Sequence, residues 1–468
     1  MKKQMNKIAL LFSILSLIFF SCSKSFTDRD PFDRVPTPTA ITDEASMQTA
    51  LNGAYAGLRD IGVYGRDWPV IGDLQADNAF LEVQNSGRYI PQYQYNFTAT
   101  DATYTEMWNA AYTVILRANT IIDADIPGDN VNALKAQAYA LRALMYFKLV
   151  TTYARPYTDD PSLPGVPIVL HYDPYIQPAR NTVAQVYDQI VSDFTTAFNN
   201  APDYTNSVTL SKYAIEGLLA RTYLYMGNNA AAKQAAEDVI NNSEFSLVSA
   251  KDYADFWAEP GIHTDAVEVM FEVDVDIINN LGSDDFGGFY AGIYQDLYAS
   301  EDLYNLYSPT DVRTSVLIPY YTKAGTPAVI VYKYQNANNT ADRDNIKVIR
   351  LSEVYLIAAE ASWPDDEDAA RLYLNAVAEA RDPSFGGYNS SGAALLEDII
   401  TERRKELAFE GDRYYDLNRL KRDVNRFDNP GAIPGPLLIP YTDYHRIAPI
   451  PQSELQANPN IEQNPGYQ

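Results

Sequence analysis

The chain has 468 residues, enough for one large domain or two to three ordinary ones, and 46% of them are hydrophobic, which supplies a sizeable core. Its 61 acidic residues against 36 Lys and Arg give a formal net charge of -25, which speaks against nucleic acid or an anionic membrane face as a partner. Tyr outnumbers Phe by 36 to 18, so much of the aromatic surface carries a hydroxyl suited to rim packing or polar-ligand contact.

Lys2, Lys3 and Lys7 open the chain, followed by an apolar run over 8–20 and then Ser21 and Cys22. That run is shorter than a membrane-spanning helix and has the length of a signal-peptide core. A small residue before the only cysteine of the chain reads as a lipoprotein processing site, with 1–21 removed and the Cys22 thiol acylated. Phe19 stands where such sites usually carry Leu, and the rival reading is a plain secretory signal with an incidental cysteine. Acylation of Cys22 leaves no thiol for an intrachain disulfide or for cysteine chemistry. Two or more acyl chains on one residue give stable anchoring. Residues 22–42, rich in Asp, Pro and Thr, read as a tether, and 43–468 as the folded domain.

Helical spacing runs through 45–59, 105–122, 133–153, 183–199 and 213–226. Between the third and fourth of these, Pro156, Pro161, Pro164, Pro167, Pro174 and Pro178 forbid regular helix over 155–180. Ala214, Gly217, Leu218, Ala220 and Tyr223 precede a Gly227-Asn228-Asn229 turn, then come Ala231, Ala235 and Val239. Such small residues let two helices approach closely, as in tetratricopeptide units. Residues 353–381 repeat the idea around a Trp363-Pro364-Asp365 break. From 243 to 346 the chain is loop-rich, with short β-like runs at 266–273 and 329–334, and so long an irregular stretch usually serves a function. The predicted fold class is all-α, a tetratricopeptide-like helical-repeat scaffold with a large loop-rich insertion at about 243–346 and a few short β-strands.

Residues 402–417 read ERRKELAFEGDRYYDL. Leu396, Ile399, Ile400, Arg403 and Leu407 fall on one helical stripe, Gly411 can take the left-handed conformation that ends the helix, and Asp412 can cap a second helix carrying Tyr414, Tyr415, Leu417 and Leu420. The dense mixed charge of Glu402, Arg403, Arg404, Glu406, Glu410 and Arg413 predicts ion pairs that lock two helices, not a catalytic centre.

That segment resembles the C-terminal signature of the SusD/RagB family, surface lipoproteins that capture nutrients for an outer-membrane transporter. Residues 449–467, PIPQSELQANPNIEQNPGY, are similar to the family's closing segment. Upstream, 350–361 (RLSEVYLIAAEA), 139–153 (YALRALMYFKLVTTY) and 180–193 (RNTVAQVYDQIVSD) resemble family helices, in family order. Gln137, Tyr139 and Ala154 depart from the usual pattern in scaffold positions. The resemblance implies four helical pairs, a lipid anchor in the outer membrane with the protein exposed at the cell surface, and a SusC-like TonB-dependent transporter as partner. It also implies an oligosaccharide ligand, with a peptide-binding member of the same family as the alternative.

Catalytic patterns are sparse. His171, His263 and His445 are widely spaced and no phosphate loop, nucleophile elbow or HExxH occurs. A glycoside hydrolase would need a carboxylate pair about 5–9 Å apart; Asp284 and Asp285 are one nominal pair, for which solvated loop acids are the plainer reading. No cofactor is expected, although an acidic loop leaves room for a structural calcium ion without EF-hand spacing. Binding chemistry is better represented. Sugar rings stack their C–H faces on flat aromatics while their hydroxyls need polar partners. Tyr64 and Trp68 offer faces and Arg66, Asp73, Asp77 and Asn78 offer partners in a predicted loop over 64–78. Phe286, Phe289, Tyr290 and Tyr294 form a second aromatic cluster among glycines. The alternative for both is that these aromatics anchor the loops on the scaffold.

Overall fold

The computed structural model of the protein describes residues 40–173 and 175–467. The leader, Cys22 and most of the tether lie outside the described residues. The N-terminal part holds α1 (Glu44–Gly57), α2 (Asp67–Leu74), β1 (Ala79–Leu81), α3 (Ile90–Gln94), α4 (Ala102–Asp123) and α5 (Val131–Tyr153). After the proline-rich segment come α6 (Val183–Phe198), α7 (Lys212–Tyr225) and α8 (Asn229–Asn242). The insertion contributes α9 (Tyr253–Ala258), β2 (Val269–Val273), β3 (Leu297–Ala299), α10 (Glu301–Tyr304), β4 (Leu317–Tyr321), β5 (Pro327–Val331) and β6 (Ile346–Arg350). The last part holds α11 (Leu351–Ser362), α12 (Glu367–Arg381), α13 (Gly392–Glu406), α14 (Arg413–Arg419), β7 (Val424–Asn425), β8 (Leu438–Ile439) and α15 (Gln452–Ala457).

The long helices pack as a continuous array: α1 on α4 and α5, then α5 on α6, α6 on α7, α7 on α8, α8 on α11, and α11 on α12. This is the expected all-α helical-repeat scaffold. Both sequence-predicted hairpins form. In the first, Ala214, Gly217 and Ala220 of α7 are buried, and Asn228 caps α8 by accepting from the Ala231 amide at 3.2 Å. A Cβ at Gly217 would come within 2.8 Å of Ile349 Cδ1, so the small residue sets how closely α7 approaches β6. In the second, Leu356, Ala359, Ala370, Leu374 and Val377 of α11 and α12 join Leu395 and Ile399 of α13 in a separate apolar cluster.

A four-stranded antiparallel sheet in the order β1-β3-β5-β4 ties the N-terminal part to the insertion, pairing Phe80 with Tyr298 and Ala299 with Val329. The outer hairpin pairs Leu317 with Val331 and Tyr321 with Pro327, and turns through Thr322, whose amide donates to Thr326 O at 2.7 Å. β2 and β6 form a second, two-stranded sheet with a register shift inside β2.

Three local expectations change. The predicted loop over 64–78 contains α2, whose residues are all buried. Its acidic Asp67 in the first turn and Pro69 at the third position suit a helix start, within a stretch whose polar, aromatic composition resembles a loop. Asp412 precedes α14 but makes no side-chain cap; its carboxylate lies 3.8 Å from Lys148 Nζ instead. Gly411 does adopt φ +84°, but α13 already ends at Glu406 with Leu407 as its C-cap, so the role of Gly411 is steric instead: a Cβ there would meet Pro69 Cα at 2.4 Å, and one on Gly72 would meet Gly411 O at 2.0 Å. Backbone therefore packs on backbone where α2 crosses the corner between α13 and α14.

Candidate ligand-binding face

The two regions singled out in the sequence meet in space. The Phe286 amide donates to Gly65 O at 2.9 Å, and the Arg66 guanidinium lies 5.9 Å from the Phe289 ring centroid. Most of their aromatic side chains point inward, however. Trp68 has 0% exposure and its Nε1 donates to Thr152 Oγ1 at 2.8 Å. Tyr64, Phe286, Phe289 and Tyr290 are also buried, with Phe286 edge-on to Tyr334 at 4.6 Å and Tyr290 edge-on to Phe409 at 5.5 Å. These rings cannot offer a face to a sugar without opening the core, so the expectation of Trp68, Tyr64 and the Phe286–Tyr290 rings as stacking platforms is corrected: they anchor loops.

The polar members are likewise internal. Asp73 accepts from Asn78 Nδ2 at 3.0 Å and from the Phe409 and Gly411 amides at 3.1 and 2.8 Å, and burial pushes its carboxyl up to about 7 against those donors. Asp77 is buried too, yet Arg413, bonding both its oxygens at 2.7 and 2.8 Å, and Arg404 bring its carboxyl down to about 2. Asn78 accepts from Arg404 Nε at 3.0 Å. Asp73, Asp77 and Asn78 thus fasten α2 and its following turn to the 402–413 segment.

Arg66 and Tyr294 remain at the rim, and the structure adds neighbours that the sequence reading did not select. Arg88 Nη2 pairs with Asp284 at 2.9 Å, its guanidinium sits 4.5 Å over the Tyr294 ring, and Arg66 lies 3.8 Å from the same Asp284 carboxylate. Asp285 is buried against Arg343 at 3.0 Å, so neither carboxylate of the nominal pair stands free. Three loops are clamped here by two sealed acids. Glu82 accepts from the Gln84 and Ala324 amides at 2.5 and 3.0 Å, and Asp296 accepts from the Ser86 amide at 3.0 Å and Lys323 Nζ at 2.9 Å. Lys323 also donates to Tyr294 O at 2.7 Å, which joins the hairpin tip to the 293–294 turn.

On that tip Tyr320 and Tyr321 are 62% and 58% exposed, and Ile293 is exposed on the adjoining turn. Beside the tip runs a cleft of about 320 Å³ lined by Phe80, Tyr304, Asn305, Tyr320 and Asn429. The paired tyrosines immediately before a Thr-Lys-Ala-Gly turn were the available signal, since a hairpin tip has no core beneath it to bury them. Among the described residues no group of three or more His, Cys, Asp or Glu is disposed to hold a metal ion, and no helix is long and apolar enough to cross a membrane.

A family model described as SusD-like, starch-binding and associating with the outer membrane matches residues 27–224, and the SusD family model matches 302–467. The SusD-like protein P2 of Formosa agariphila is 27% identical, with 99% of this chain and 100% of that protein aligned. A SusD superfamily protein from Bacteroides thetaiotaomicron is similar at 32% identity and a TM-score of 0.83, over 91% of this chain and all of the other. A candidate sugar-binding protein from Bacteroides vulgatus is similar at 30% identity and a TM-score of 0.82, over 92% of this chain and all of the other. With family models matched over 27–224 and 302–467 in order, and relatives at 30% and 32% identity aligned over more than nine tenths of the chain, the chain belongs to the SusD/RagB family.

Proposed function

We propose that this protein is a non-catalytic surface lipoprotein that captures an oligosaccharide and hands it to a SusC-like TonB-dependent transporter. The observation that carries the ligand class is the Tyr294 ring under the Arg88 guanidinium, beside Asp284 and next to the exposed Tyr320 and Tyr321. Flat rings for C–H faces and a fixed cation–acid pair for hydroxyls are the two chemistries a sugar needs. Clamping by Glu82 and Asp296 holds the loops before ligand arrives, which lowers the ordering cost of binding. Support also comes from the family description and from the Bacteroides vulgatus relative with a sugar-binding description. The reading needs no cofactor.

A glycan array run beside a peptide library on the full chain tests the ligand. Retention of one glycan class is expected, and Tyr294→Ala should weaken it about tenfold, since stacking on aromatics contributes roughly 1–3 kcal/mol and about 1.4 kcal/mol is one decade. Tyr321→Ala should act in the same direction. Retention of peptides with no glycan would replace the sugar reading by the peptide one.

Anchoring is proposed through acylated Cys22 at the outer membrane, with 22–42 as the tether. Cys22→Ala should move the protein from the membrane to the soluble fraction; unchanged membrane retention would refute the anchor.

A further inference from the structure

We infer that a second cavity, between the proline-rich segment and the closing segment, binds the carboxylate or sulfate of an acidic saccharide through Arg155 and Arg180. The cavity measures about 530 Å³ and is lined by both arginines together with Thr442, Tyr444, Ile447 and Glu462. It shares no lining residue with the Tyr294 face. In a chain of net charge -25 an arginine readily finds an acid, and most described arginines do. Among the described residues, though, no carboxylate lies within 4.0 Å of Arg155 or Arg180.

Their partners are carbonyls and a ring. Arg180 Nε donates to Gly165 O at 2.7 Å, Nη1 to Glu462 O at 3.1 Å and Nη2 to Pro164 O at 2.9 Å. These bonds fix the guanidinium without neutralising it. Burial consequently holds its pKa down to about 10, although the nearby Glu462 carboxylate favours the cation. Arg155 gives one N–H to Tyr441 O at 3.1 Å, with its guanidinium 5.2 Å over the Tyr441 ring, and so keeps most of its fork open. A carboxylate or sulfate that accepts from such a fork through two oxygens supplies the missing charge and gains bidentate geometry.

The other walls describe the rest of the ligand. Tyr444 is 41% exposed and offers a ring face, while Thr442 and the exposed Glu462 can take up hydroxyls. Glu462 also repels a bare polyanion, which favours a single acid on a hydroxylated ring. Among the described residues Arg117, Arg426 and Arg446 have no acid within 4.0 Å either, but Arg426 and Arg446 are buried on carbonyls of Ala76, Tyr93 and Ile439 and do not line this cavity.

The inference rests on the carbohydrate reading for the body of the ligand. Calorimetric titration of the full chain with D-glucuronate, glucose 6-sulfate, inorganic sulfate and D-glucose tests it. Binding of glucuronate or the sulfated sugar is expected, the stronger of the two identifying the acid, with D-glucose much weaker. Arg155→Gln should weaken that binding at least tenfold while the melting temperature of the free protein stays unchanged. Arg180→Lys, which keeps the charge and loses the fork, should weaken it less. No binding of either acidic sugar, or equal binding by Arg155→Gln, overturns the site. Inorganic sulfate binding as tightly as the acidic sugars overturns the saccharide assignment. Neutral-glycan retention in the array separates the two readings: its absence together with bound glucuronate would bear on the Tyr294 face only.

Discussion

Trp68→Ala is expected to destabilise the protein by about 3–5 kcal/mol, the usual cost of emptying a buried indole site. The ring is fully enclosed, α2 around it is buried along its whole length, and Nε1 donates to Thr152 Oγ1, itself 3.3 Å from Tyr415 Oη. Truncation therefore leaves a cavity and strips a donor from the hydroxyl pair that joins α2, α5 and α14. Chemical denaturation should show the lower midpoint. Glycan affinity of the fraction still folded should match wild type, because the indole has no exposed face. A variant that melts like wild type but loses glycan would put Trp68 back at the binding surface.

The contrast between Trp68 and Tyr321 shows what the sequence carries. Helices α4 to α8 and the α11–α12 pair were readable because 3.6-residue spacing and small-residue contacts are local facts. The 402–417 corner was readable as an ionic joint because so many opposite charges in one short stretch have few other outcomes. Burial of the 64–78 aromatics was not readable. Composition says that a ring is available, but only the crossing of α2 over Gly411 decides which way it points. The same holds for Arg88 on one loop and Tyr320 and Lys323 on the β4–β5 hairpin, which acquire a common role only through the clamps at Glu82 and Asp296. Arg155 and Arg180 are informative for what they lack, and that too depends on tertiary placement.

Glu406→Gln is the substitution expected to reach furthest through the fold. One carboxylate meets three arginines: Arg350 at 2.9 Å, Arg381 at 2.9 Å and Arg313 at 3.1 Å, from β6, α12 and the turn before β4. Around it Arg313, Arg350, Arg381, Lys333 and Lys405 face Glu268, Glu402, Glu406, Glu410 and Asp311, five cations against five acids, with every arginine buried. That balance makes the cluster tolerable in the interior, and Gln leaves five cations against four acids while aiming an amide N–H₂ at guanidinium donors. A loss of about 3–5 kcal/mol follows for breaking a buried pair from one side. The pH dependence carries a sign as well. Burial works to raise the Glu406 pKa, but Arg381, Arg350 and Arg313 hold it well below its unfolded value of 4.5. Its contribution is therefore complete above pH 4.5 and is lost only as pH falls through the depressed folded value. Wild type should lose stability on acidification below pH 4.5, and Glu406→Gln should lose less over the same range. Asp77 and Asp416, held down to about 2 against an unfolded 3.8, keep their own acid limb in both proteins. Denaturation midpoints measured from pH 7 to pH 2 check both parts: equal stability at pH 7, or parallel acid limbs, would mean that the three arginines do not draw their compensation from Glu406.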